Sequence, residues 1–291
     1  MSTYDSAWLD SQYNVRERVP GHVDHFRRWA ADSVEAMRGG ARELDVRYGG
    51  GPNEHLDIFH ARGPDHAHAP VLFFIHGGYW RGMDKREHSF IAPAFTNEGV
   101  SVVVPNYALC PAVTVPDIVM QMVKALAWTW KNIAQHGGDP SRITVAGHSA
   151  GGHLAAMMLS CVWPAYDPAL PADLVKNAIS ISGLNDLDAV MHTPYLQTSL
   201  HLTREQVRKA SPALLPAPHR GKLYAVCGAD ETEEFLRQNS LIRDAWGAQA
   251  VPVCEQLPGR NHFSALEALA EPGNRLSSLA LELVLSAPRT A

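Results

Sequence analysis

Arg142-Ile143-Thr144-Val145-Ala146-Gly147-His148-Ser149-Ala150-Gly151-Gly152-His153-Leu154 is the stretch that decides how this chain is read. Its first five residues form an apolar, β-branched run that predicts a buried strand, and the residues from Gly152 to Leu159 predict a helix. Between them Ser149 falls on a sharp strand-to-helix turn, the geometry that strains a serine backbone and presents its hydroxyl to a site. Strand and helix backbones nearly touch at such a turn, which demands the small residues Gly147 and Gly151. The bare G-x-S-x-G string arises by chance in about one chain in ten of this length, so the strand-turn-helix context carries the inference.

A second motif, His76-Gly77-Gly78-Tyr79-Trp80, follows the continuous apolar run Val71-Leu72-Phe73-Phe74-Ile75. That run predicts a strand buried on both faces, hence central in a parallel sheet. The glycines after it leave backbone N–H groups exposed, so Gly78 and Tyr79, with Ala150 at the start of the helix after Ser149, are the expected donors to an oxyanion. His76 reads as a residue that braces this loop.

Working outward, two hairpin-like strands are expected around 43–48 and 55–60, then a helix over 85–98, a strand over 101–104 and a helix over 116–136. Beyond the Ser149 turn come strands near 177–182, 222–227 and 251–256, a helix over 233–245 and terminal helices. Strands alternating with helices predict an α/β fold with a mostly parallel sheet covered on both faces, in one domain over 1–291. Residues 1–40, with Trp8, Tyr13, Phe26 and Trp29, read as a helical arm packed across that domain, over the site entrance. Residues 184–220 read as a small cap insertion. Active sites in such sheets form at the carboxyl ends of the strands, where Ser149 and the Gly77-Gly78 loop both fall.

A serine hydroxyl needs a histidine to take its proton and a carboxylate to orient that histidine, in the chain order serine, acid, histidine. His262, in Gly259-Arg260-Asn261-His262-Phe263 after the last predicted strand, is the expected base. The acid is expected on the loop after 223–227, where Asp230 is the first choice. Glu231, Glu233 and Glu234 read as opening the next helix, and Asp186 and Asp188 stand in reserve.

Composition narrows the classes. The 291 residues are 46% hydrophobic with a net charge of −5, which supports a large core and offers no basic stripe for nucleic acid. The N-terminus has no apolar signal core and no run approaches roughly 18 apolar residues, so a cytoplasmic location without membrane partners is expected. Cys110, Cys161, Cys227 and Cys254 are spaced as buried thiols. No metal pattern emerges from the 15 histidines. His66-Ala67-His68 reads as a solvated turn. No bound metal is expected. The oligomeric state is not legible, and a homodimer is compatible with the sequence.

Together the two glycine motifs, Gly183-Leu184-Asn185-Asp186-Leu187, Asn261-His262-Phe263 and the early Tyr13-Asn14-Val15-Arg16 resemble the kynurenine formamidase (arylformamidase) branch of the α/β-hydrolase superfamily over nearly the whole chain. The resemblance implies hydrolysis of a small acyl group from an aryl amine or ester without a cofactor, with Ser149, Asp230 and His262 matching its triad and Gly78, Tyr79 and Ala150 its oxyanion loop. An aryl leaving group implies an aromatic pocket, for which Tyr79, Trp80, Tyr195 and Phe263 are the expected substrate-binding residues. A general short-chain carboxylesterase uses the same machinery and stays open. A binding protein on an inactive scaffold would not need the three intact catalytic residues. A carboxylate nucleophile, as in haloalkane dehalogenases, is excluded by serine at 149.

Overall fold

The computed structural model of the chain describes residues 4–63 and 68–287. Two residues of the expected 66–68 turn, His66 and Ala67, lie outside them. Eight strands form one sheet: β1 (Arg42–Arg47), β2 (His55–Phe59), β3 (Ala69–Ile75), β4 (Ser101–Pro105), β5 (Gly138–His148), β6 (Val175–Ile181), β7 (Leu223–Gly228) and β8 (Val253–Leu257). Their order is β1-β2-β4-β3-β5-β6-β7-β8. β1 and β2 are an antiparallel hairpin, β2 runs antiparallel to β4, and every later pairing is parallel.

The residues that make β3 a strand also make it central. All of β3 and β6 is buried, and Val71, Leu72, Phe73, Phe74 and Ile75 are wholly inaccessible. Each such side chain contributes roughly 1.5–3 kcal/mol by leaving water. Helices between the strands supply the cover. The one over Val115–Asn132 starts at a capping box between Thr114 and Asp117 with proline in its first turn, and the chain turns out of the following 3₁₀ segment at Gly137, φ 80°. Those signals are local and legible.

The expected helix over 85–98 breaks into two 3₁₀ turns, Lys85–Glu87 and Ser89–Ile91, and a short helix, Ala92–Thr96. Tertiary contacts override helical propensity here. Lys85 is fully buried, its Nζ 2.6 Å from Asp57 and 2.9 Å from Asp45, while His88 stacks 5.5 Å from His76. Cys110 and Cys227 are buried as expected, but Cys161 and Cys254 are only partly so; all four are free thiols. The N-terminal segment forms helices Ser6–Tyr13, Val15–Arg18 and His22–Arg38, and 184–220 carries three short helices, Leu187–Met191, Pro194–Leu200 and Arg204–Ala210. No helix among the described residues is long and apolar enough to cross a membrane.

Candidate active site

β5 delivers Ser149 in the conformation a nucleophile turn requires, φ 57° and ψ −119°. A serine pays strain for that backbone, and the surroundings hold it there. Its N–H donates to the Ile181 carbonyl at the end of β6 (2.8 Å), and its carbonyl accepts from His153 (3.1 Å). The glycines are obligatory for a spatial reason. A Cβ at Gly147 would lie 2.1 Å from the Gly151 carbonyl oxygen, and one at Gly151 would lie 2.0 Å from that of Ile75.

Three strands further along the sheet, β8 leads to His262, the first residue of the helix His262–Ala270, whose start is capped by the Asn261 side chain. His262 Nδ1 lies 2.6 Å from Oε2 of Glu231. The other carboxylate oxygen accepts from the Gly228 N–H (2.7 Å) and from Ser182 Oγ (2.5 Å), so three donors meet a side chain with no exposed surface. A carboxylate on Nδ1 fixes the tautomer and leaves Nε2 as the nitrogen able to take a proton.

The expected acid, Asp230, is not that partner. It is exposed, and among the described residues only its N–H is engaged, on the Arg260 carbonyl at 3.0 Å. The reason is a turn: Glu231 N–H returns to the Gly228 carbonyl (3.3 Å), which sends position 231 inward and position 230 to solvent. Glu231 does not open the helix either, because Thr232 is the cap residue and the helix runs Glu233–Ala250. The acidic residues Glu233-Glu234 directly after a threonine were the signal for that boundary. The reserve acids have other duties. Asp186 caps the helix Leu187–Met191 through the Asp188 N–H and faces Arg237 at 3.6 Å, and Asp188 faces His192 at 3.8 Å.

His148, inside the serine motif, has a role that sequence reasoning missed. Its Nε2 donates to the His262 carbonyl oxygen at 2.8 Å, and the two rings lie 4.6 Å apart. Burial, then the charge of His262, holds His148 well below the usual histidine range, so it is a neutral donor that fixes the backbone of its neighbour.

Gly78, Tyr79 and Trp80 are successive residues with positive φ, 105°, 50° and 54°. A Cβ at Gly78 would fall 2.2 Å from the Gly82 carbonyl oxygen. The N–H groups of Gly78, Tyr79 and Ala150 find no acceptor among the described residues. His76 braces the loop from below: its ring stacks 4.2 Å from Tyr107 and contacts Asn106 Oδ1 (3.1 Å) and the Gly77 carbonyl (2.8 Å).

Ser149, His262, Gly78, Tyr79, Tyr195 and Phe263 line one cavity of about 340 Å³. Trp80 does not. It is fully buried, its Nε1 donating to His153 Nδ1 at 3.3 Å, because the loop turns its side chain beneath the site and anchors its carbonyl on the Cys110 N–H (2.8 Å). In its place Val15, Arg16, Phe26 and Trp29 come from the N-terminal helices, Arg81 and Met83 from the end of the glycine loop, and Ser199 from beside Tyr195. Only the aromatic content of the arm foreshadowed the first group. Among the described residues no group of three or more His, Cys, Asp or Glu is placed to hold a metal ion.

A profile of proteins with the alpha/beta hydrolase fold matches residues 72–238, which span the glycine loop, the serine turn and Glu231. The chain belongs to the α/β-hydrolase family. Kynurenine formamidase of Salmo salar is 28% identical to this α/β-hydrolase over 299 aligned positions, covering 96% of this chain and 99% of the relative. Esterase LipQ of Mycobacterium tuberculosis is 38% identical over 155 positions, 50% of this chain and 36% of its own. Among solved structures, a candidate thioesterase from Silicibacter sp. tm1040 superposes with a TM-score of 0.82 at 28% identity, covering 96% of this chain and 99% of the other. The resemblance of this hydrolase to the arylformamidase branch thus extends over most of the chain.

Within the hydrolase the arm is tied to both halves of the site. Tyr79 Oη donates to the Tyr13 carbonyl (2.7 Å), Tyr13 Oη donates to Glu234 (2.6 Å), and Thr232 Oγ1 donates to the Gln12 carbonyl (3.0 Å). Burial, then Glu234, raises the Tyr13 phenol well above its ordinary range, so it stays a donor.

Proposed function

We propose that this α/β-hydrolase cleaves small-acyl aryl amides or esters, arylformamidase-like, through an acyl-enzyme on Ser149, with His262 as base and Glu231 in the place expected for Asp230. The observation that carries the reading is His262, clamped at Nδ1 by the buried Glu231 and at its carbonyl by His148, on the cavity that Ser149 lines. No hydrogen bond joins the Ser149 and His262 side chains among the described residues; in hydrolases that contact commonly tightens with substrate in place.

Ser149 Oγ attacks the acyl carbon while His262 Nε2 takes its proton, and Glu231 stabilises the imidazolium. The N–H groups of Gly78, Tyr79 and Ala150 meet the charge that develops on the carbonyl oxygen. The imidazolium returns the proton to the leaving amine or alcohol, and water activated by the same imidazole releases the acid. Aromatic walls from Trp29, Tyr79 and Phe263 suit an aryl leaving group, and the small cavity limits the acyl part.

The kynurenine formamidase relatives favour a formamide substrate, whereas the mycobacterial esterases favour a short-chain carboxylesterase as the second reading. A panel of kcat/KM values for N-formylkynurenine, formanilides and aryl and alkyl esters of increasing acyl length separates them. Formyl and acetyl substrates with aryl leaving groups should lead and butyryl should be slower. In a roomy acyl site each methylene would add roughly 1–3 kcal/mol, so a steady rise through octanoyl would reject the arylformamidase-like reading.

A further inference from the structure

Among the described residues that line the cavity, the two with a fixed charge are both guanidinium, Arg16 and Arg81, beside the imidazoles of His148 and His262. No Asp or Glu side chain is among the described lining residues, although the chain as a whole is net acidic at −5. Within the described residues neither guanidinium has a carboxylate within 4.0 Å. That pairing is common elsewhere on this protein.

Arg81 is built into place. Its Nη1 donates to the Tyr195 carbonyl (2.9 Å) and to Ser199 Oγ (3.1 Å), and its guanidinium carbon lies 4.3 Å from the centroid of the Tyr195 ring. Both partners come from the cap, while Arg81 itself closes the glycine loop, its N–H on the Gly78 carbonyl at 3.1 Å. Nε and Nη2 take no acceptor among the described residues, which leaves one edge of a planar, oriented fork. Arg16 lies over Phe26, 5.3 Å from the ring centroid, and is exposed.

A preoriented guanidinium edge beside aromatic walls is the arrangement that recognises a carboxylate in two-point geometry. We infer that the substrate carries a carboxylate on its aryl leaving group, read by Arg81 with Arg16 as a weaker second charge, and that an additional ammonium group disfavours it. An ammonium would meet two like charges and no carboxylate in the lining. The preferred class is therefore an N-formyl or O-acyl arylcarboxylate rather than an amino-acid zwitterion. This rests on the reading of Ser149 as the nucleophile only for turnover; recognition of the anion is a separate property.

Equilibrium binding to the Ser149→Ala protein tests it. Calorimetric Kd values are compared for 3-formamidobenzoate, for its neutral carboxamide, and for N-formylkynurenine beside the same molecule without its α-ammonium group. The carboxylate should bind roughly 10- to 100-fold tighter than the carboxamide, the contribution of a charge-assisted hydrogen bond pair. Arg81→Gln should remove most of that ratio and Arg81→Lys a part of it. Arg16→Gln, at an exposed site, should remove a smaller share that shrinks as salt is raised. N-formylkynurenine should bind more weakly than its ammonium-free counterpart. Equal affinities for carboxylate and carboxamide, an unchanged ratio in both arginine variants, or tighter binding of the zwitterion would overturn the inference. Residual turnover by Ser149→Ala would instead count against the nucleophile assignment and leave the affinity ratios readable.

Discussion

The loops at the carboxyl ends of β3, β5, β7 and β8 and the wall formed by the N-terminal arm and the cap meet at one cavity, yet they are made differently. The loops are fixed by backbone: glycines that let β5 and its helix touch, a turn that swings Glu231 inward, a cap at Asn261 that aims His262. The wall is fixed by side chains that reach across long stretches of chain, such as Tyr79 to Tyr13 and Arg81 to Tyr195. Backbone-built parts suit chemistry, which tolerates little displacement, and side-chain-built parts suit the choice of substrate.

The largest expected split lies within the loops. Glu231→Gln should lower kcat by roughly 10³- to 10⁴-fold, as removal of a triad carboxylate does elsewhere, with KM little changed. Asp230→Asn should stay within about twofold, as surface substitutions away from a site usually do. A loss confined to KM in the first, or a large loss in the second, would move the acid back to position 230.

Acid should act on the loops before the wall. His76, His88, His148 and His153 are buried beneath them, and burial holds all four below the usual histidine range, His88 down to about 3 and His153 to about 4. The unfolded chain binds those protons more readily, so the stability they confer is complete above about pH 6.5 and is lost as the pH falls toward the lowered values. Each contributes a slope of about 1.4 kcal/mol per pH unit in that window. Tm measured from neutral pH downward should fall steadily, and a flat profile would contradict the burial of these rings.

His148→Phe keeps the ring volume and removes the donor to the His262 carbonyl. The expected loss is roughly tenfold in kcat with a smaller change in KM, and an equal loss in both would make His148 a packing residue only. The smallest effect belongs to the wall. Tyr13→Phe deletes the hydrogen bond to Glu234, which keeps Arg237 at 2.8 Å, and the one accepted from Gln238 Nε2 (3.0 Å), which keeps the Asp186 carbonyl at 2.8 Å, so denaturant unfolding should report a loss of about 1–2 kcal/mol with turnover nearly intact. A collapse of kcat would show that the arm positions the catalytic loops.

The same division governed what the sequence could disclose. The serine turn, the glycine loop and His262 were legible because short-range patterns of glycine, strand and cap dictate them. The carboxylate that meets His262 lies one residue beyond the expected Asp230, because 230 and 231 differ only in a turn whose direction depends on the Gly228 carbonyl. Trp80 was misassigned because three successive positive-φ residues, Gly78 to Trp80, invert the face it presents, which composition does not encode. Arg16, Arg81 and Trp29 went unread as site residues, since a cavity wall assembled from separate segments has no local signature. The Lys85–Asp57 pair broke an expected helix for the same reason.

The most direct measurement is covalent. A phosphonate ester that reacts with activated serines is incubated with the protein, and the labelled peptide is identified by mass spectrometry beside the Ser149→Ala and Glu231→Gln variants. One adduct on Ser149 is expected, absent in the first variant and strongly slowed in the second, with turnover of an activated aryl ester lost by roughly 10⁴-fold or more in Ser149→Ala. An adduct on another residue, or activity that survives Ser149→Ala, would contradict the account.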